Sequence, residues 1–180
     1  MVYFSRVIFM RDVKKTQEKA REKASEKTNV MRLLALNGVE YKSYCYASTG
    51  AISGSDVARA LKQDPDRVFK TLVTVGASGA NYVFMIPVDA VLNLKRAANA
   101  VNEKSIEMLA SKQLLPLTGY IHGGCSPIGM KKPFPTIIDE TAQLFDTILY
   151  SAGKIGYQVE TTLEGLKRLI PFELKDIADI

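Results

Sequence analysis

A chain of 180 residues, 47% hydrophobic and 24% charged, has the length and composition of one globular domain with a sizeable core. No apolar run approaches the roughly 20 residues of a membrane span. The apolar start M-V-Y-F-S-R-V-I-F-M lacks the basic flank and cleavage site of a signal peptide, and two cysteines with a single histidine build neither a disulfide framework nor a metal cluster. These features predict a soluble cytoplasmic protein.

The net charge of +5 is carried mainly by residues 1–27, where eight Lys/Arg face four Asp/Glu. It therefore gives no reason to expect a nucleic-acid surface on the rest of the chain. Residues 11–27 are almost all Lys, Arg, Glu, Gln and Ala and have no apolar face, which predicts a solvated or frayed helical extension over 1–27 and a single domain over 28–180.

Thr28 reads as an N-cap for a short helix lined by Val30, Met31, Leu33, Leu34 and Leu36 and closed by Asn37-Gly38. The alternating, aromatic-rich stretch 41–46 predicts a strand. After a loop of small residues, a helix is expected over about 55–63, stopped by Asp64-Pro65-Asp66. Two strands, 68–75 and 82–88, flank G-A-S-G-A-N and form the clearest hairpin in the chain. Helices are expected over 92–101 and 105–110, the second with Ser105 as a cap, then a short turn over 112–117. Three short strands follow at 135–138, 147–151 and 156–160. Thr161 or Thr162 caps a last helix running to about Ile170, before Pro171. Short strands mixed with helices in no strict alternation predict an α+β fold: a single domain with a mixed β-sheet flanked by short helices.

Between these elements lies Gly119–Lys132, G-Y-I-H-G-G-C-S-P-I-G-M-K-K, with four glycines, a Ser-Pro and two lysines. Such a loop can bring main-chain N–H groups close to a ligand and stabilise negative charge; a plain turn between strands is the simpler alternative. It is no P-loop, because Met130 separates Gly129 from Lys131 and Lys132 stands where a Mg²⁺-binding hydroxyl is needed. His122 and Cys125 raise the question of a nucleophile pair, but residues three apart in a loop usually diverge, and a small, partly buried thiol explains Cys125 better. Asp139-Glu140 reads as a solvated turn. Lys70 interrupts the otherwise apolar V-F-K-T-L-V-T-V, where a lysine either snorkels to water or has a task. Ser151, at the end of a strand before a Gly-rich turn, suits a hydroxyl aimed at a ligand as well as an ordinary turn serine.

Taken together, V-F-K-T-L-V at 68–73, L-N-L-K-R-A-A at 92–98, the loop at 118–132, P-T-I-I-D at 135–139 and Y-S-A-G-K-I-G at 150–156 resemble the YbaK-type Cys-tRNA(Pro) deacylases, relatives of the editing domain inserted in bacterial prolyl-tRNA synthetases. The resemblance spans about 28–180. It implies a cytoplasmic trans-editing hydrolase that cleaves the ester of Cys-tRNA(Pro), works with prolyl-tRNA synthetase and needs no metal or other cofactor. Carried over position by position, the family's site lysine falls on Lys70, its loop glycine on Gly123, its serine on Ser151 and its tyrosine on Tyr46. Gly124 joins Gly123 as an expected amide donor; Ser126, Gly153, Lys131, Lys132 and Lys154 complete the expected substrate-binding set, the lysines as a rim facing the tRNA. The chain departs from the family at Ser53, near where relatives carry an aromatic residue, and at Cys125, which replaces an aliphatic one. The resemblance also implies that the substrate's own thiol attacks its carbonyl. Two other readings stay open: editing of an Ala- or Pro-type aminoacyl-tRNA, and a non-catalytic module that binds a tRNA acceptor end or a synthetase.

Overall fold

Thr28 caps as its sequence suggests: its hydroxyl accepts from the Met31 amide at 3.3 Å, and helix α1 (Asn29–Leu36) follows. The computed structural model describes residues 27–179, so the charged leader expected over 1–27 lies outside the described residues apart from Lys27. Val30, Met31 and Leu34 bury their side chains, whereas Leu36, expected on the same face, is 82% exposed, since two positions on from Leu34 it lies about 200° round the helix. Strand β1 (Lys42–Cys45) comes next. Helix α2 (Gly54–Ala60) starts ahead of the expected Ser55, because Ser53 is the cap, accepting from the Asp56 amide at 3.1 Å. A 3₁₀ turn at Pro65–Arg67 leads into β2 (Phe69–Gly76) and β3 (Asn81–Pro87), the antiparallel hairpin expected from the sequence.

Beyond the hairpin the structure departs further from expectation. Leu92 belongs to β4 (Val91–Leu92), and Asn93 caps α3 (Leu94–Ala100). The helix expected over 105–110 is instead strand β5 (Ile106–Met108), because pairing of Ile106 with Gly76 and of Met108 with Thr74 covers one end of β2's edge. The short turn expected over 112–117 is a full helix, α4 (Ser111–Thr118), closed by Gly119 at φ +85°. After the glycine-rich loop come β6 (Thr136–Asp139), a 3₁₀ turn, β7 (Ile148–Ser151) and β8 (Tyr157–Thr161). Thr162, not Thr161, caps α5 (Leu163–Lys167), which stops short of Ile170; two further strands, β9 (Glu173–Lys175) and β10 (Ala178–Asp179), were not expected.

The strands form a five-stranded mixed sheet in the order β5-β2-β3-β6-β9, an antiparallel three-stranded sheet β1-β8-β7, and the small pair β10-β4. Alternation along β3 sends Val83 and Met85 into one core and Phe84 and Ile86 into a second core on the opposite face. The two larger sheets touch through a parallel bridge between Val68 and Leu149. Asp139 corrects its sequence reading as part of a solvated turn. It is 2% exposed and accepts from the Thr141 amide and hydroxyl and from the Ile177 and Ala178 amides, so it holds β10 against β6. Among the described residues no helix is long and apolar enough to cross a membrane.

Candidate active site

The site begins where β2 and β7 part. The Val88 amide donates to the Val68 carbonyl at 2.8 Å, so the even-numbered residues of β2 pair with β3 and the main-chain groups of Phe69, Thr71 and Val73 face the other edge. Leu109 takes the Val73 carbonyl at 3.0 Å, and the Val68–Leu149 bridge closes the far end. Between these two points the edge at Thr71 is open. On β7 the Ala152 amide donates to the Tyr157 carbonyl, which leaves the main-chain groups of Ser151 facing β2 across the gap. The gap is a cleft of about 370 Å³. Because it wraps around an open strand edge, it collects side chains from both faces of β2: Phe69, Thr71 and Val73 from one, Lys70 and Leu72 from the other.

Lys70, Gly123, Ser151 and Tyr46, the four residues expected at the catalytic centre, all line this cleft. The Lys70 side chain is half-buried, and its ammonium donates to the Val88 carbonyl at 2.8 Å. Desolvation lowers its pKa from the ordinary lysine value; the nearby Asp89 carboxylate, itself hydrogen-bonded by the Ser55 hydroxyl, works in the opposite direction. Gly123 adopts φ +81°, and the nearest atom to a Cβ built there would be Ile155 at 3.8 Å. This glycine is therefore needed for its backbone angle, not for space. Tyr46 is 7% exposed and anchored through its amide to the Gly156 carbonyl.

The expected substrate-binding residues lie elsewhere; none of the six lines the cleft. The Gly124 amide is committed to the Ile121 carbonyl at 3.0 Å. Ser126 is fully buried, and its hydroxyl faces the Ile128 amide. Gly153, at φ +80°, lets Tyr120 and Val30 pack where a side chain would stand. Lys131 serves the end of α4, donating to the carbonyls of Leu115 and Pro116 at 3.4 and 3.3 Å. Lys154 lies 5.1 Å from the Tyr157 ring centroid, and Lys132 is exposed. His122, expected to point away, contributes to the lining although exposed. Cys125 lines the cleft as well; it is buried, and burial pushes its thiol up to about 12, which favours the protonated thiol at neutral pH.

Two lining residues escaped the sequence reading. The Thr71 hydroxyl oxygen and the Gln158 amide oxygen are buried without a hydrogen-bond partner. Gln158 is 6% exposed and stands opposite Ser151 in the β7–β8 ladder. The signal that could have found them is the one that marked Lys70, a polar side chain in a strand with an apolar core on both sides. An acceptor left bare in this way costs about 1–3 kcal/mol, which a ligand donor would recover. Among the described residues no cluster of three or more His, Cys, Asp or Glu is arranged to hold a metal ion.

This geometry has relatives. Residues 50–169 match the aminoacyl-tRNA editing domain. Over 159 residues, 88% of this chain and 97% of the relative, the sequence is 45% identical to a protein of Enterococcus faecalis provisionally named Cys-tRNA(Pro)/Cys-tRNA(Cys) deacylase EbsC. A solved structure provisionally described as a trans-editing enzyme for prolyl tRNA synthetase superposes with a TM-score of 0.71 at 22% identity, covering 84% of this chain and 93% of that one. The hypothetical protein APE2540 gives 0.73 at 17% identity, over 83% and 99%. At such identities the two structures establish the shared α+β fold. With the sequence matches they lead to one assignment: the chain belongs to the aminoacyl-tRNA editing domain family, hydrolases that deacylate aminoacyl-tRNA.

Proposed function

We propose that the protein is a trans-editing hydrolase that deacylates mischarged Cys-tRNA(Pro). The observation that carries this reading is the convergence of Lys70, Gly123, Ser151 and Tyr46 on one cleft that also holds two unpartnered acceptors. An aminoacyl ester brings a matching set of groups: an α-ammonium to donate to Gln158 and Thr71, a carbonyl oxygen that gains negative charge during hydrolysis, and a departing ribose oxygen. The Lys70 ammonium, held by Val88, faces the developing charge, and the loop at Gly123 adds main-chain polarity beside it.

With the Cys125 thiol protonated, the nucleophile in this scheme is the substrate's own side chain. Its sulfur bonds to its own carbonyl carbon, the C–O bond to the terminal ribose breaks, and the thiol proton ends on the departing ribose oxygen. The amino acid leaves as a cyclic thiolactone. Holding sulfur and carbonyl together in a small cleft is the protein's part, and effective concentrations of this kind lower barriers by several kcal/mol. The route needs no metal. The EbsC name and the trans-editing neighbour support the substrate, and the neighbour's description supports prolyl-tRNA synthetase as a partner. The catalytic domain spans 28–180. Of the three lysines of the expected rim, the exposed Lys132, outside the cleft, serves the acceptor stem.

A deacylation assay tests this, using Cys-tRNA(Pro), Cys-tRNA(Cys), Ala-tRNA(Pro) and Pro-tRNA(Pro) with wild type, Lys70→Ala and Cys125→Ser. Cysteinyl esters are hydrolysed fastest, Lys70→Ala is inactive, and Cys125→Ser stays active. Equal hydrolysis by wild type and Lys70→Ala, or preference for another amino acid, overturns the proposal.

A further inference from the structure

We infer that His122 carries the proton of the reaction: its imidazole takes the thiol proton as the substrate's sulfur attacks and hands it to the ribose oxygen as that oxygen departs. This rests on the deacylase reading and supplies the carrier for a proton that must move in it. The structural ground is the turn on which His122 stands. The Gly124 amide donates to the Ile121 carbonyl at 3.0 Å, and Gly123 holds φ +81° while the φ of His122 is not positive. These are the marks of a type II turn, with His122 at its first corner and glycine at the second, where a positive φ is required. The turn fixes the His122 backbone, and the residue lines the cleft while remaining exposed.

Elimination among the lining residues selects the same group. Their titratable side chains are Tyr46, Lys70, His122 and Cys125. The Lys70 ammonium has donors only and is held by the Val88 carbonyl. Tyr46 and Cys125 are buried, where an anion left by a departing proton lacks hydration. A neutral imidazole has one nitrogen that accepts and one that donates, and as a class it changes charge between about pH 5 and 8. On an exposed residue the imidazolium stays hydrated, so the charge it carries between the two transfers costs little. The balance closes in one cycle. The S–C bond forms as the thiol proton passes to the ring, the C–O bond breaks as the ring gives a proton to the ribose oxygen, and His122 ends neutral.

Single-turnover hydrolysis of Cys-tRNA(Pro) is measured for wild type and His122→Ala, each with and without added imidazole, against a blank of imidazole alone. His122→Ala lowers the rate about a hundredfold at unchanged tRNA affinity, and imidazole restores about tenfold of that loss in the variant while leaving wild type unaffected. The variant's Tm stays within about 2 °C of wild type, because the residue is exposed. An unchanged rate overturns the inference. So does a loss that imidazole leaves in place, which makes His122 a binding or packing residue. The two readings fail separately: a wild type that hydrolyses no cysteinyl-tRNA overturns the deacylase reading itself, whereas an active wild type with an equally active His122→Ala overturns the proton carrier alone.

Discussion

The Lys70 ammonium donates to the Val88 carbonyl at 2.8 Å, at the end of the strand paired with its own. A flexible side chain is thereby fixed at the lip of a cleft with one of its three protons used and the others free for a substrate.

That arrangement predicts a trade between activity and stability. Lys70→Met lowers kcat/KM for cysteinyl-tRNA by at least about a hundredfold, as expected for loss of a charge facing the transition state. The same change removes a half-desolvated cation, so Tm rises by up to about 2 °C for a domain of this size. The pH dependence has a definite sign. Desolvation lowers the Lys70 pKa, so activity falls as pH climbs through that lowered value, below the 10.5 of an unperturbed lysine. Between the two values the unfolded chain binds more protons, so this residue's contribution to stability rises with pH. Asp89→Asn, which removes the opposing charge, moves the alkaline fall in activity to lower pH.

Gln158 should show the complementary pattern. Replacing it with leucine removes a buried acceptor that has no partner in the free protein, which stabilises that protein by about 1 kcal/mol in urea unfolding. The donor it would have met on the substrate is then left bare, and KM rises about tenfold. A lower stability with unchanged KM would reassign Gln158 to packing alone.

The two glycines of the site loops separate by mechanism. In Gly153→Ala the new Cβ meets Tyr120 at 2.8 Å and Val30 at 2.9 Å, on a backbone at φ +80°. Overpacking and the left-handed angle together cost about 3 kcal/mol, measured by denaturant unfolding. Gly123→Ala has room for its methyl and carries only the cost of the angle, about 1–2 kcal/mol, yet it alters the cleft wall. Its larger effect is on deacylation.

Glu160 governs the acid side of stability. It is 7% exposed and meets Tyr44, Thr147, Arg67 and, at 3.6 Å, Lys42. Burial pushes its carboxyl up, but hydrogen bonds from Thr147 and Tyr44 and the charges of Lys42 and Arg67 outweigh this and hold its pKa below the usual 4.5. A lowered pKa adds stability above the unfolded value that is lost as pH falls through the folded one. Thermal melts between about pH 5 and 2 will show a shallower acid slope in Glu160→Gln than in wild type. Glu160→Ala costs about 1–2 kcal/mol at neutral pH, because Arg67 loses its carboxylate partner and keeps only Thr147.

What the sequence made legible was local. The Thr28 cap and the β2–β3 hairpin depend on neighbours within a few residues, and both read correctly. Strands β5, β9 and β10 hold two or three residues each and exist only through partners distant in the chain, so no period announces them. The same gap misplaced side chains. Asp139 looked solvated because β10, whose amides it accepts, was not foreseen. Lys131 looked free because α4, whose last carbonyls it meets, was expected only as a turn. Gln158 escaped because a polar residue in a short strand also suits a solvent-facing position.

The two walls of the cleft belong to different sheets, joined where Val68 bridges Leu149. That contact works as the pivot of a pair of tongs, and both residues are almost completely buried. The span between the Thr71 jaw and the Ser151 jaw is set by how the sheets lean on this pivot. Trimming Val68 or Leu149 would thus change which amino acid the jaws grip, without altering any atom that touches it.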